Sequence, residues 1–381
     1  MLERLEKFHI KEILFTLALI AIISRKYIMT FANRVVNTGP LGSLLFYGSM
    51  AILGLMFFMD FKKNITEIIL VLISSVIYVF NGEGAILVLV LLAIAGKKIC
   101  DKYIAKNYLI ISTILLIITL IVFNAFPWLQ TNSEVHYKYI KFLNIFIPRL
   151  DFGLGNPNFL YLFMVPIYVA YVFLRFKNYN NIDRIIMFGS ILFIYSITYS
   201  RTGCYSLLGG LIFVEIMKRI DIQNNKILSN LFKVTPILLT IISVAIGTIL
   251  TDNVLLNKLL SSRPKLWNVY LHQQGNFLSL FGNKYSKTTI ALNALDSSYV
   301  YILCTLGVIG CAFLMFLLYH GIDSFIKKSK KEYLVVVFIF LMYGFTENML
   351  VNSAFSFGIV LLVKELILED KFRFIFDKIR R

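Results

Sequence analysis

The chain has 381 residues, 58% of them hydrophobic and only 15% charged, with a mean hydropathy of +0.77 and a formal net charge of +17. Soluble domains carry about a quarter charged residues, so this composition excludes a soluble globular chain. The surplus Lys and Arg sit between apolar runs, with no separate basic and aromatic module, which argues against a nucleic-acid partner.

Apolar runs long enough to cross ~30 Å of hydrocarbon as helices recur along the chain. They predict transmembrane helices at 12–24, 41–59, 65–80, 84–96, 107–126, 157–174, 185–200, 202–217, 234–251, 298–319, 333–347 and 353–368. The expected fold class is all-α and polytopic, about 12 helices in a single integral membrane domain over 1–381. Continuous runs such as "AILVLVLLAIAG" lack the alternation of barrel strands. The opening "MLERLEKFHIKEILFTLALIAII" has no small-residue cleavage site before "SRKY", and predicts a retained first helix. Cys100, Cys204, Cys304 and Cys311 form no C-x-x-C pair, so neither a disulfide framework nor a zinc site is expected.

With the N-terminus placed inside, the inner segments hold 25 Lys and Arg and the outer segments 12. The positive-inside rule then puts both termini in the cytoplasm, and the net charge reads as topology and attraction to anionic lipid. The outer basic residues gather in two long loops, 127–156 and 252–297, and at Arg201. Loops of that length in compact proteins are often functional, so the outer face is the expected working face.

Residues Ile185 to Met217 span 33 positions, about 50 Å as one helix, too long for a single crossing. A turn is predicted at "YSRTG" (199–203), with Ser200 and Thr202 as caps and Gly203 as the turn residue. Arg201 then stands at the outer interface beside unpaired N–H groups of the next helix. Two readings are open: a phosphate or diphosphate clamp, or snorkelling to lipid headgroups.

The second outer loop predicts a helix capped by Ser261 or Ser262, with Pro264 in its first turn and Arg263 at its start, running to about Gln274. Trp267 and Tyr270 share a face, which either lies on the membrane surface or covers a groove and offers sugar rings a platform. Asp296 precedes the tenth helix, as a cap or as a base. Arg149, Asp151, Asn156 and Asn158 gather at the mouth of the sixth helix, where Pro157 makes Asn156 the expected cap. Glu347 and Asn348 are polar groups at the outer end of the eleventh.

Four stretches, "GLGNPNFLY" (153–161), "YSRTGCYSLLGG" (199–210), "SSRPKLW" (261–267) followed by "LFGN" (280–283), and "LDSSYVYILCTLGVIG" (295–310), together resemble the Wzy-type polymerases of O-antigen and capsular polysaccharide and the related O-antigen ligases. The resemblance covers the C-terminal two thirds of the chain. It implies a glycosyltransferase C-type (GT-C) membrane fold acting on polyprenyl-diphosphate-linked sugars at the outer face of the bacterial cytoplasmic membrane. It makes Arg201 and Arg263 the diphosphate binders. The ligases carry a His-Asn pair where this chain has Asp296 and Ser297, a departure that favours a polymerase and makes Asp296 a candidate base. Asn156 stands where many relatives carry His.

The expected reaction transfers a growing glycan from undecaprenyl diphosphate to a lipid-linked oligosaccharide repeat unit, with inversion. Arginines neutralise the leaving diphosphate. A base takes the acceptor proton, Asp296 first, His272 second and His136 third. Substrate contacts are assigned to Arg149, Asn156, Asn158, Trp267, Tyr270 and Tyr299. No cofactor is expected, since Asp151, Asp252 and Asp296 lack metal-ligand spacing. The lipid bilayer, a flippase and a chain-length regulator are the expected partners. A ligase or a flippase is the alternative; a transporter calls for ionisable residues within its spans, whereas Glu215 and Lys364–Glu365 lie near span ends.

Overall fold

The computed structural model describes residues 2–31, 37–60, 62–129, 137–140, 144–273, 277–285 and 295–373. These are mostly helical, and each of the twelve predicted runs lies on a helix. The helices are α1 (Leu2–Phe31), α2 (Gly39–Met59), α3 (Ile65–Asn81), α4 (Ala85–Ala95), α5 (Asp101–Ala125), α6 (Pro157–Arg175), α7 (Asn181–Thr198), α8 (Arg201–Arg219) and α9 (Lys226–Thr248). Two short helices follow, α10 (Val254–Leu259) and α11 (Arg263–Asn268). Then come α12 (Ser298–Lys327), α13 (Lys331–Gly344) and α14 (Phe357–Leu368). Strands β1 (Tyr137–Ile140) and β2 (Ile145–Pro148) pair antiparallel, Tyr137 opposite Pro148, an addition to the all-α expectation. Among the described residues six helices are long and apolar enough to cross a membrane: α2, α5, α6 with its 3₁₀ extension, α7, α9 and α12.

The chain sorts into two compact units, Met1–Met59 with Lys98–Lys218, and Asp60–Lys97 with Arg219–Arg381. In the first unit α1 packs on α2 and α5, and α5 on α6. Exposed Leu44, Phe58, Ile185 and Phe193 present apolar surface suited to lipid. Thr113 and Thr119 donate their hydroxyls to the carbonyls of Leu109 and Leu115, which satisfies both polar groups within the helix.

The second unit is built around α4 and α14, which touch each other and are buried almost end to end. The 11 residues of α4 fall short of a bilayer crossing, and a run of that length suits a core helix. One end of this unit is bound by ion pairs: Glu365 accepts from Lys328 and Lys330, each at 2.7 Å, and Glu67 from Lys97 at 2.6 Å. The opposite end carries the α3–α4 turn, α10, α11 and the turns after α13.

Candidate functional site

In the first unit the site centres on Arg149 and the start of α8. Asp151 accepts from the Gly153 N–H, and Asn156 caps α6 by accepting from the Asn158 N–H at 2.8 Å, with Pro157 in the first turn. Asn158 in turn accepts from Arg149 Nη2 at 3.1 Å, while Arg149 Nε donates to the Thr198 carbonyl at 2.8 Å. Burial, and then the neighbouring charge of Arg201, lowers the basicity of Arg149. Lys138, on β1, sits 4.7 Å from the Tyr199 ring centroid and 5.4 Å from that of Tyr195. Two guanidinium groups close enough to perturb one another, with a lysine nearby, favour an anion between them.

The turn before α8 differs in detail from expectation. Tyr199 adopts the left-handed conformation, φ 50°, and closes α7. The Ser200 hydroxyl is buried with no hydrogen-bond partner, so it caps nothing. Gly203 lies inside α8, where a Cβ would come within 2.2 Å of the Tyr161 ring. The glycine therefore serves helix packing rather than the turn.

In the second unit Arg263 is the hub. It is only 4% exposed, donates from Nη2 to Glu347 Oε1 at 2.7 Å, and places Nε 3.4 Å from Asp296 Oδ2. Ser262 takes a left-handed φ of 62° and makes no side-chain cap, so backbone geometry and Pro264 start α11. Each residue after Asp296 has its own task. Ser297 caps α12 in place of Asp296. Ser298 donates to the Glu347 carbonyl at 2.7 Å and accepts from the N–H groups of Met349 and Leu350. Tyr299 is wholly buried and donates to the Leu341 carbonyl.

Burial raises both acids, against the opposing pull of Arg263; the Glu347 carboxyl is pushed up to about 8 and Asp296 is raised above the usual carboxylate range. One guanidinium balances one carboxylate, and the two acids titrate as a unit.

Next to this trio α12 is broken. Ile302–Leu306 forms a π turn and Gly307 sits at φ 76°. The freed N–H groups of Val308 and Ile309 bond to the carbonyls of Ser279 and Leu280, and Asn283 N–H bonds to Cys304 O. Gly282, at φ 84°, touches this backbone so closely that a Cβ would lie 2.0 Å from Thr305 O. The "LFGN" and "TLGVIG" motifs thus pair backbone to backbone.

Several sequence expectations change. Trp267, read as an open sugar platform, is wholly buried with Phe345 edge-on at 5.6 Å. It and Tyr270 pack α11 against α9 in a core with Ile246 and Leu271. Tyr299, read as a substrate contact, serves packing against α13. Arg263, read as a diphosphate ligand, is buried and already paired with Glu347 and Asp296. His272 is exposed, with Nδ1 3.0 Å from Asn268 Nδ2, one turn away on its own helical segment. His136 lies outside the described residues. Glu347, noted only as polar, is the closer acid to Arg263. Glu83 was missed because the charge count over the α3–α4 turn considered cations alone; an acid after Asn-Gly between two apolar runs was the available signal.

Comparison with family models, with curated proteins and with solved structures finds no match to this chain.

Proposed function

We propose that the chain is a polysaccharide polymerase of GT-C type with about 12 membrane helices. In this reading it moves a growing glycan from undecaprenyl diphosphate onto a lipid-linked repeat unit at the outer face of a bacterial cytoplasmic membrane. The observation that carries it is Arg149, held by Thr198 and Asn158, with the charge of Arg201 at the start of α8 near enough to lower its basicity. A departing lipid diphosphate needs such charge neutralisation more than it needs a proton. The acceptor oxygen forms a bond to the donor's anomeric carbon as the carbon–phosphate oxygen bond breaks. The hydroxyl proton passes to water. Arg263, paired with Asp296 and Glu347, is not assigned to the phosphate.

The test is the purified protein with undecaprenyl-diphosphate-linked repeat units. Polymer formation that Arg201→Ala abolishes supports the reading. Scrambling of the lipid between leaflets without new glycosidic bonds makes the protein a flippase and overturns it. Transfer to another acceptor without longer chains makes it a ligase.

A further inference from the structure

The second unit holds a cavity of about 280 Å³ bordered by the α3–α4 turn, the loop at 283–285, the start of α12 and Asn348. Its lining combines amides from Asn81, Asn283 and Asn348, the Glu83 carboxylate, and the phenols of Tyr270, Tyr285 and Tyr301. Lys284, Leu295 and Thr305 complete the lining. The volume sits at the low end for ligand sites, enough for one sugar ring rather than an oligosaccharide.

The geometry around Glu83 is fixed before any ligand arrives. Asn81 accepts from the Glu83 N–H at 2.7 Å and its amide faces Thr305 O at 3.4 Å, while Gly82 at φ 79° closes α3. Tyr301 donates its hydroxyl to Glu83 Oε2 at 3.1 Å, which leaves Oε1 as a further acceptor. The Tyr285 hydroxyl is buried beside Asn283 and Cys304, and the Tyr270 and Tyr285 rings meet edge to face at 4.9 Å. A carboxylate and amides pair with neighbouring hydroxyls of a sugar, and tyrosine rings cover its apolar face. Leu295 adjoins Asp296 in sequence and Asn348 adjoins Glu347, so the cavity borders the acid pair.

We propose that this cavity binds a single pyranose unit, with Glu83 and Asn348 holding its hydroxyl groups. Its identification as the acceptor's terminal sugar rests on the polymerase reading. The test is saturation-transfer NMR on the full-length protein in a detergent without a sugar headgroup. The probes are free hexoses, N-acetylhexosamines, deoxyhexoses and hexuronic acids. At least one class shows transfer from the wild-type protein. Glu83→Gln and Asn348→Ala each weaken it about tenfold, as loss of one charge-assisted or well-placed hydrogen bond does, whereas Ile227→Ala, at an exposed position on α9, leaves it unchanged. Tyr301→Phe, which keeps the ring, serves as the milder variant should Glu83→Gln unfold. No transfer from any probe, or transfer that the cavity variants leave intact, overturns the proposal. If wild-type protein makes polymer while sugar binding ignores these variants, only the cavity assignment fails. If binding depends on the cavity but no polymer forms, only the polymerase reading fails.

Discussion

Arg263 and Glu347 lie 84 positions apart in the chain yet form a buried 2.7 Å ion pair. Removing Arg263 takes the cationic partner from both Glu347 and Asp296, and breaking a buried pair costs about 3–5 kcal/mol. Arg263→Ala is therefore expected to lower the thermal midpoint sharply. The double variant Arg263→Met, Glu347→Met recovers part of the loss, because only Asp296 is then left without its cation. Thermal unfolding of the four proteins of this cycle checks both statements.

Stability should also fall with rising pH through this pair. Burial pushes the Glu347 carboxyl up to about 8 from an ordinary 4.5, so the folded state holds a proton that the unfolded chain releases. That stabilisation is fully present below about pH 4.5 and is lost as pH rises through about 8. Glu347→Gln, which carries no titrating proton, should show a flatter dependence of thermal midpoint on pH across the same window.

The broken α12 makes a sharp prediction for glycine. Gly282→Ala would place a Cβ 2.0 Å from Thr305 O and Gly307→Ala one 2.2 Å from Gly282 N, each also at a left-handed φ. Both variants should fail to give monodisperse protein on gel filtration. Gly48→Ala and Gly54→Ala in α2 meet nothing within 4 Å, and should be neutral or stabilising by about 0.5–1 kcal/mol.

Arg149 holds the mouth of α6 and supplies one of the two guanidinium groups there. Arg149→Ala is expected to lower the polymer-forming rate about a hundredfold, the usual scale for removing one electrostatic donor. Arg149→Lys should recover only part, since a point charge cannot bond Thr198 and Asn158 together. Inhibition of the wild-type reaction by inorganic pyrophosphate, weakened in both variants, would tie the loss to anion binding.

The helices were legible because apolar length is a local signal; every predicted run overlaps one, and six among the described residues are long and apolar enough to cross a membrane. Their grouping was not. Assignment of Asp60–Lys97 to the unit with Arg219–Arg381 depends on contacts far apart in sequence. The same holds for the site. The cap at Asn156 followed from Asn-Pro alone, and the cluster around Arg149 from proximity in the chain. Trp267 misled because period 3.6 marks an apolar face without saying whether lipid, sugar or α9 covers it. The pairing of Gly282 with Gly307 and of Arg263 with Glu347 left no periodic trace at all.

The placement of α3 and α4 sets a problem of timing during synthesis. Asn64 donates to the Ile367 carbonyl across 303 positions, so at about 5–20 residues per second this hairpin waits ~15–60 s for its final neighbour. It carries an acid, Glu67, that is 1% exposed in the finished protein. Yet Lys97 and Lys63, the cations that reach Glu67, belong to the same early segment. The hairpin thus carries its charge already balanced while it waits for α14 to leave the ribosome.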